Sequence, residues 1–176
     1  MRSDARRNRD LILGAAVDLF IERGPAASME EIARSAGLGV GTLYRHFPDR
    51  QSLLEEIAAD SLRRLYDYAQ ARLDTAPSGW DAFVGIIEQC VALPLALTKA
   101  VSETPLDKPE LDALAERSDA LIAEAVTRAQ KQGDLRRDLS PAQVADMLSV
   151  IVCRPGIRPG DPLITVFLDG LRLRPA

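Results

Sequence analysis

A chain of 176 residues with a net charge of −4 has room for one medium domain or for a small domain joined to a larger one, and as a whole it is no basic nucleic-acid sponge. Residues 1–66 carry ten basic and ten acidic side chains and residues 67–176 twelve and sixteen, so any nucleic-acid affinity belongs to the first third, as a local patch. Abundant Leu and Ala with few aromatics favour helices, Cys90 and Cys153 stand outside any CxxC spacing and point to a reducing cytoplasm rather than a metal or disulfide framework, and no apolar run approaches the roughly 18 residues of a membrane span.

The first residues, basic and then apolar from Leu11 to Val17, superficially resemble a signal peptide. Asp18 and Glu22 follow at once and the apolar spacing continues, which predicts a soluble amphipathic helix instead. Ile12, Ala15, Ala16, Leu19 and Phe20 form its inner face, and it ends near Gly24 and Pro25. Ser28 opens a second helix with Glu31 as the partner of a capping box. Ile32, Ala33 and Ala36 are its buried face and Gly37 its stop. A third, short helix is predicted from about Val40 to His46. Pro48-Asp49 caps a long fourth one, apolar at Leu53, Leu54, Ile57, Ala58, Leu62, Leu65 and Ala69, which runs to about Leu73 before Pro77.

The remainder also reads as helical. One helix starts near Trp80 and meets Pro94, and a short one follows to about Glu103. Another runs from about Lys108 to Gln132, with Gly133 as its stop. Ser140-Pro141-Ala142-Gln143 reads as cap, first-turn proline and capping-box partner of the next. Residues 154–162 form a Pro/Gly loop, and a last helix, Leu163 to Leu171, is apolar almost all round.

The second and third helices have the makings of a helix-turn-helix: a small residue at the crossing (Ala33), a glycine at the corner (Gly37) and an apolar residue facing back (Leu43). The second helix of such a unit enters the major groove, and the partial positive charge of a helix N-terminus attracts phosphate. Gly41 costs that helix roughly 1 kcal/mol against Ala; close approach to a DNA backbone is one reason for it, and the small cost of a first-turn glycine is the other. Tyr44, Arg45 and His46 add an aromatic, a cation and the only histidine. No partner at triad spacing makes that histidine a catalytic base.

The run MEEIARSAGLGVGTLYRHFPDRQSLL, residues 29–54, resembles the DNA-binding signature of the tetracycline-repressor (TetR) family of transcription regulators. The likeness extends over about Arg9 to Leu65. It implies an all-α fold of about nine helices: a three-helix DNA-binding domain (residues 1–50), a linking helix (50–74), and a helical bundle for ligand binding and dimerisation within residues 51–176. By the same resemblance Ser28, Thr42, Tyr44, His46 and Arg50 contact phosphates, while Val40, Gly41 and Arg45 face bases. Gly39 stands where the family often has Ser, and Arg50 where Lys is frequent. Neither departure threatens the fold, since Gly is a fair cap and Arg binds phosphate as Lys does.

Outside that run the residues say less. Arg2, Arg6, Arg7 and Arg9, placed before the first helix, read equally as an arm that reaches a minor groove and as a solvated tail broken by Asp4 and Asp10. The resemblance implies a small-molecule pocket among the helices of residues 80–152. Trp80, Phe83, Ile87, Cys90, Thr98 and Met147 are candidates to line it, and each also fits ordinary core. The last helix has more apolar surface than a small domain covers, so a homodimer is expected through Val144, Leu148, Ile151, Ile164, Phe167, Leu168 and Leu171. The expected function is a DNA-binding regulator, a repressor released from a palindromic operator by an apolar or amphipathic ligand, with no cofactor, metal or membrane. A helical-bundle enzyme and an interaction module without DNA binding are the alternatives.

Overall fold

The computed structural model describes residues 2–23, 27–95, 109–154 and 156–173. They form eight helices: α1 (Arg2–Arg23), α2 (Met29–Ser35), α3 (Val40–His46), α4 (Arg50–Thr75), α5 (Gly79–Ala92), α6 (Pro109–Gln132), α7 (Pro141–Val152) and α8 (Pro162–Leu171). Among the described residues the only extended pairing is an isolated antiparallel bridge between Leu135 and Arg172, so the fold is all-α. The short helix expected after Pro94, and Thr98 within it, lie outside the described residues. The chain divides into two compact units, one ending at Ala58 and one beginning at Ala59, and the division falls inside α4.

In the first unit Ile12, Ala16, Phe20, Ile32, Ala33, Leu43, Phe47, Leu53 and Ile57 form the core. Helix α2 starts as its sequence dictates: Ser28 Oγ accepts from the Glu31 N–H at 3.2 Å, and the Glu31 carboxylate accepts from the Ser28 N–H at 2.8 Å. The Ser28 backbone N–H, then its hydroxyl, hold the Glu31 carboxyl below the usual carboxylate range. Gly37 turns the chain at φ 68°, a conformation that L side chains avoid. The N-terminal arginines require a correction. They do not precede the first helix; Arg2, Arg6, Arg7 and Arg9 belong to α1. Asp4 in the first turn suits the helix dipole, and Arg9 fastens the segment, with its guanidinium 5.2 Å from the centre of the Phe47 ring and Nη1 donating to Glu56 Oε1 at 2.9 Å.

The second unit is built on one apolar cluster drawn from α4, α5, α6, α7 and Leu171. Ser78 caps α5 by accepting from the Asp81 N–H at 3.0 Å. The Gly79 N–H donates to Gln132 Oε1 at 2.6 Å, and Arg128 donates to the carbonyls of Leu73 (2.8 Å) and Ala76 (3.3 Å) that end α4. The end of α4, the start of α5 and the end of α6 are thus locked by side chains that satisfy otherwise orphaned backbone groups. Gly133, at φ 87°, stops α6, and the Ser140–Gln143 capping box starts α7. Asp161 caps α8 through Leu163 N–H at 2.9 Å.

Candidate nucleic-acid interface

Helix α3 has two unlike faces. Leu43 is fully buried, whereas Val40, Gly41, Tyr44 and Arg45 are exposed and Thr42 and His46 half-buried. The inner anchor is the apolar residue that a helix-turn-helix needs, and the outer face carries every base-facing residue expected from the resemblance. Gly39 caps α3 without a side chain. Ser28, half-buried at the start of α2, accepts from the Glu31 N–H, and its hydroxyl also bonds the Glu31 carboxylate, so a phosphate contact there competes with the capping box.

Arg45 lies back along its own helix: Nε donates to the Gly41 carbonyl at 3.2 Å and Nη2 to Thr42 Oγ1 at 3.1 Å. Arg50 is placed differently. Its guanidinium lies 4.9 Å from the centre of the Phe20 ring and donates to the Ala27 carbonyl, so it ties the start of α4 to α1 and to the segment before α2. A phosphate contact by Arg50 therefore competes with an internal role. Arg9 was not singled out as a clamp by the sequence. Its partners Phe47 and Glu56 are distant in the chain, and an arginine among other arginines carries no mark of being fixed.

The remaining candidates separate by burial. Trp80, Phe83, Ile87 and Cys90 are buried together in the second unit, with the Trp80 and Phe83 rings 6.2 Å apart and Arg172 over Trp80 at 5.3 Å. Burial pushes the Cys90 thiol up to about 12, with a smaller push from Cys153. Met147 is exposed and outside that cluster, which removes it from a common lining. A second correction concerns α7 and α8. Val144, Leu148 and Leu171 are buried in the unit's own core and present no surface to a partner. Ile151, Ile164, Phe167 and Leu168 are half-buried, and the exposed apolar residues are Val150 and Val166, each 67% accessible, with Met147. Apolar residues stand on both sides of these helices, so periodicity does not tell inner from outer.

A family model described as "Bacterial regulatory proteins, tetR family" matches residues 12–57, the stretch that holds the whole α2–turn–α3 arrangement. The crystal structure of a TetR transcription regulatory protein from Mycobacterium vanbaalenii is 31% identical, and the similarity covers 98% of this chain and 99% of that one at a TM-score of 0.68. The chain belongs to the TetR family. Its TetR relatives include the HTH-type transcriptional repressor KstR2 of Mycolicibacterium smegmatis, 36% identical over 85 residues that make up 48% of this chain and 42% of that protein. The HTH-type transcriptional regulator UidR of Escherichia coli is 28% identical over 159 residues, 84% of this chain and 79% of that protein. This TetR protein is thus a transcriptional regulator with a helix-turn-helix DNA-binding unit, and among its described residues no helix is long and apolar enough to cross a membrane.

Proposed function

We propose that this regulator is a homodimeric, cytoplasmic repressor that grips a palindromic operator with α3 of each protomer, is released by a small apolar or amphipathic ligand, and has no enzymatic activity. The observation that carries the reading is the division of α3 into a buried anchor, Leu43, and an exposed face of Val40, Gly41, Tyr44 and Arg45. Residues 1–50 act as the DNA-binding domain, α4 as the link and residues 51–176 as the ligand-binding and dimerisation domain. Ser28, Thr42, Tyr44, His46 and Arg50 grip phosphates. Repression is the activity named for KstR2, to which the chain is 36% identical over 85 residues.

Exposed Val150, Val166 and Met147, flanked by half-buried Ile151, Ile164, Phe167 and Leu168, are the apolar surface that supports a two-fold dimer. The ligand enters the cluster of Trp80, Phe83, Ile87 and Cys90. It releases DNA only through a higher affinity for the DNA-incompetent state. A gel shift with the DNA upstream of the protein's own gene tests the function: a retarded complex of two protomers is expected, and no complex at low salt contradicts it. Trp80 is the single tryptophan, so its fluorescence responds to a ligand that enters this cluster. Ligands that lift the gel shift with no change in that fluorescence contradict the assigned site.

A further inference from the structure

Arg45 does not extend freely from α3. Its two acceptors, the Gly41 carbonyl at 3.2 Å and Thr42 Oγ1 at 3.1 Å, lie one turn back, in the direction that helical side chains lean. A guanidinium carries five N–H donors in a fixed planar fork. Nε–H and the nearer hydrogen of Nη2 form one edge of that fork, and one hydrogen each from Nη1 and Nη2 form the outer edge. Gly41 and Thr42 occupy the first edge. The outer edge is left facing solvent, and it presents the parallel pair of donors that matches O6 and N7 of guanine.

The same contact fixes Thr42. Its hydroxyl oxygen accepts from Arg45, so the hydroxyl proton is turned away from Arg45, free to be donated to a phosphate oxygen. An arginine side chain is rich in rotamers, and ordering it before DNA arrives reduces the freedom lost on binding. The Gly41 contact uses a backbone carbonyl that any residue would supply, and a Cβ at that position would meet nothing within 4 Å. The removable part is the hydroxyl at position 42.

We infer that Thr42 is a positioning residue for base reading: it holds the Arg45 guanidinium so that its outer edge meets one guanine in each half of the operator. Thr42 and Arg45 act as one unit, and the base preference at that position depends on both. The inference rests on α3 entering the major groove, as proposed above.

The test is selection from a random duplex pool, with a salt titration, for the full-length wild type and for Thr42→Val, Thr42→Ser, Arg45→Ala and the Thr42→Val/Arg45→Ala pair. Arg45→Ala relaxes one symmetric base pair per half-site. Thr42→Val relaxes the same base pair, lowering discrimination there by about tenfold, Thr42→Ser keeps it, and the pair relaxes it no further than Arg45→Ala. If Thr42→Val misfolds on a thermal melt, Thr42→Ala removes the same hydroxyl with a better helix former and is scored in its place. The inference is overturned if the hydroxyl-free variant keeps full base preference and only weakens all sequences alike, with an unchanged salt slope because a neutral hydroxyl releases no counterion, since Thr42 is then a phosphate contact alone. It is also overturned if Arg45→Ala relaxes no position. A wild type that enriches no sequence removes the DNA-reading function itself, which separates that failure from failure of the Thr42–Arg45 unit.

Discussion

Helix α5 begins on Gly79 and α3 has Gly41 in its first turn, and the two glycines answer to different demands. A Cβ at Gly79 would stand 2.3 Å from the backbone nitrogen of Ala129 and 2.6 Å from the carbonyl carbon of Arg128, so α5 starts where only glycine fits against α6. A Cβ at Gly41 would meet nothing within 4 Å. Glycine within a helix costs about 1 kcal/mol against alanine. At Gly79 that cost is offset by close packing in the second unit; at Gly41 no packing within the first unit offsets it, which leaves an approach to α3 from outside and the small cost of a first-turn glycine as the two reasons to separate. The arginines of the first unit divide the same way. Arg9 and Arg50 are fixed on Phe47 and Phe20, whereas Arg45 bonds only to its own helix.

The largest effect is expected at Gly79. Gly79→Ala forces backbone against backbone and should cost about 1–3 kcal/mol or more, read as a lowered melting temperature; an unchanged melt would show that α5 and α6 part easily. Next comes the contrast between the two arginines. Arg50→Ala removes the hydrogen bond to Ala27 and the stacking on Phe20, for a loss of about 1–3 kcal/mol in a denaturant titration. Arg45→Ala should stay within about 0.5 kcal/mol of wild type, as an exposed change does. Equal losses would erase the distinction between inward and outward arginines.

Gly41→Ala sharpens the comparison because its two readouts move in opposite directions. Stability should rise by up to about 1 kcal/mol while affinity for the operator falls. A variant that is both more stable and an equal binder would show that nothing needs the space at position 41.

The smallest effect concerns Asp119 on α6, whose carboxyl is pushed above the usual carboxylate range by partial burial and then by Asp146 and Glu116. A raised pKa in the folded state means that the folded chain holds the proton longer than the unfolded one. The penalty is absent below the unfolded value, about 3.9, grows as pH rises through the folded value and is complete at neutral pH. Asp119→Asn should therefore raise the melting temperature at pH 7 and leave it unchanged at pH 3. Solvent screening keeps the gain under about 1 kcal/mol.

The parts of this fold that were legible in the sequence rest on chemistry between near neighbours. Both capping boxes, at Ser28 and Ser140, join residues three apart, and Gly37 and Gly133 mark helix ends because each adopts a positive φ. The bounds of α3 follow from such local marks together with the resemblance. What could not be read depends on contacts across the chain. In the sequence Arg9 and Arg50 give no sign of their aromatic partners, so it places the N-terminal arginines ahead of α1 and offers Arg50 only a phosphate as partner. On α7 and α8 apolar residues point both ways, and only packing separates buried Val144 and Leu148 from exposed Val150 and Val166.

The central claim is that the exposed face of α3 reads a DNA sequence, and a salt titration of binding to two duplexes tests it most directly. One duplex is the palindrome enriched from a random pool by the wild-type protein, and the other is its scrambled counterpart. Two protomers per palindrome are expected, with an affinity at least about 10³ times that for the scrambled duplex at physiological salt, and a log K that falls linearly with log salt for both. Equal affinity for the two duplexes at every salt concentration would contradict it.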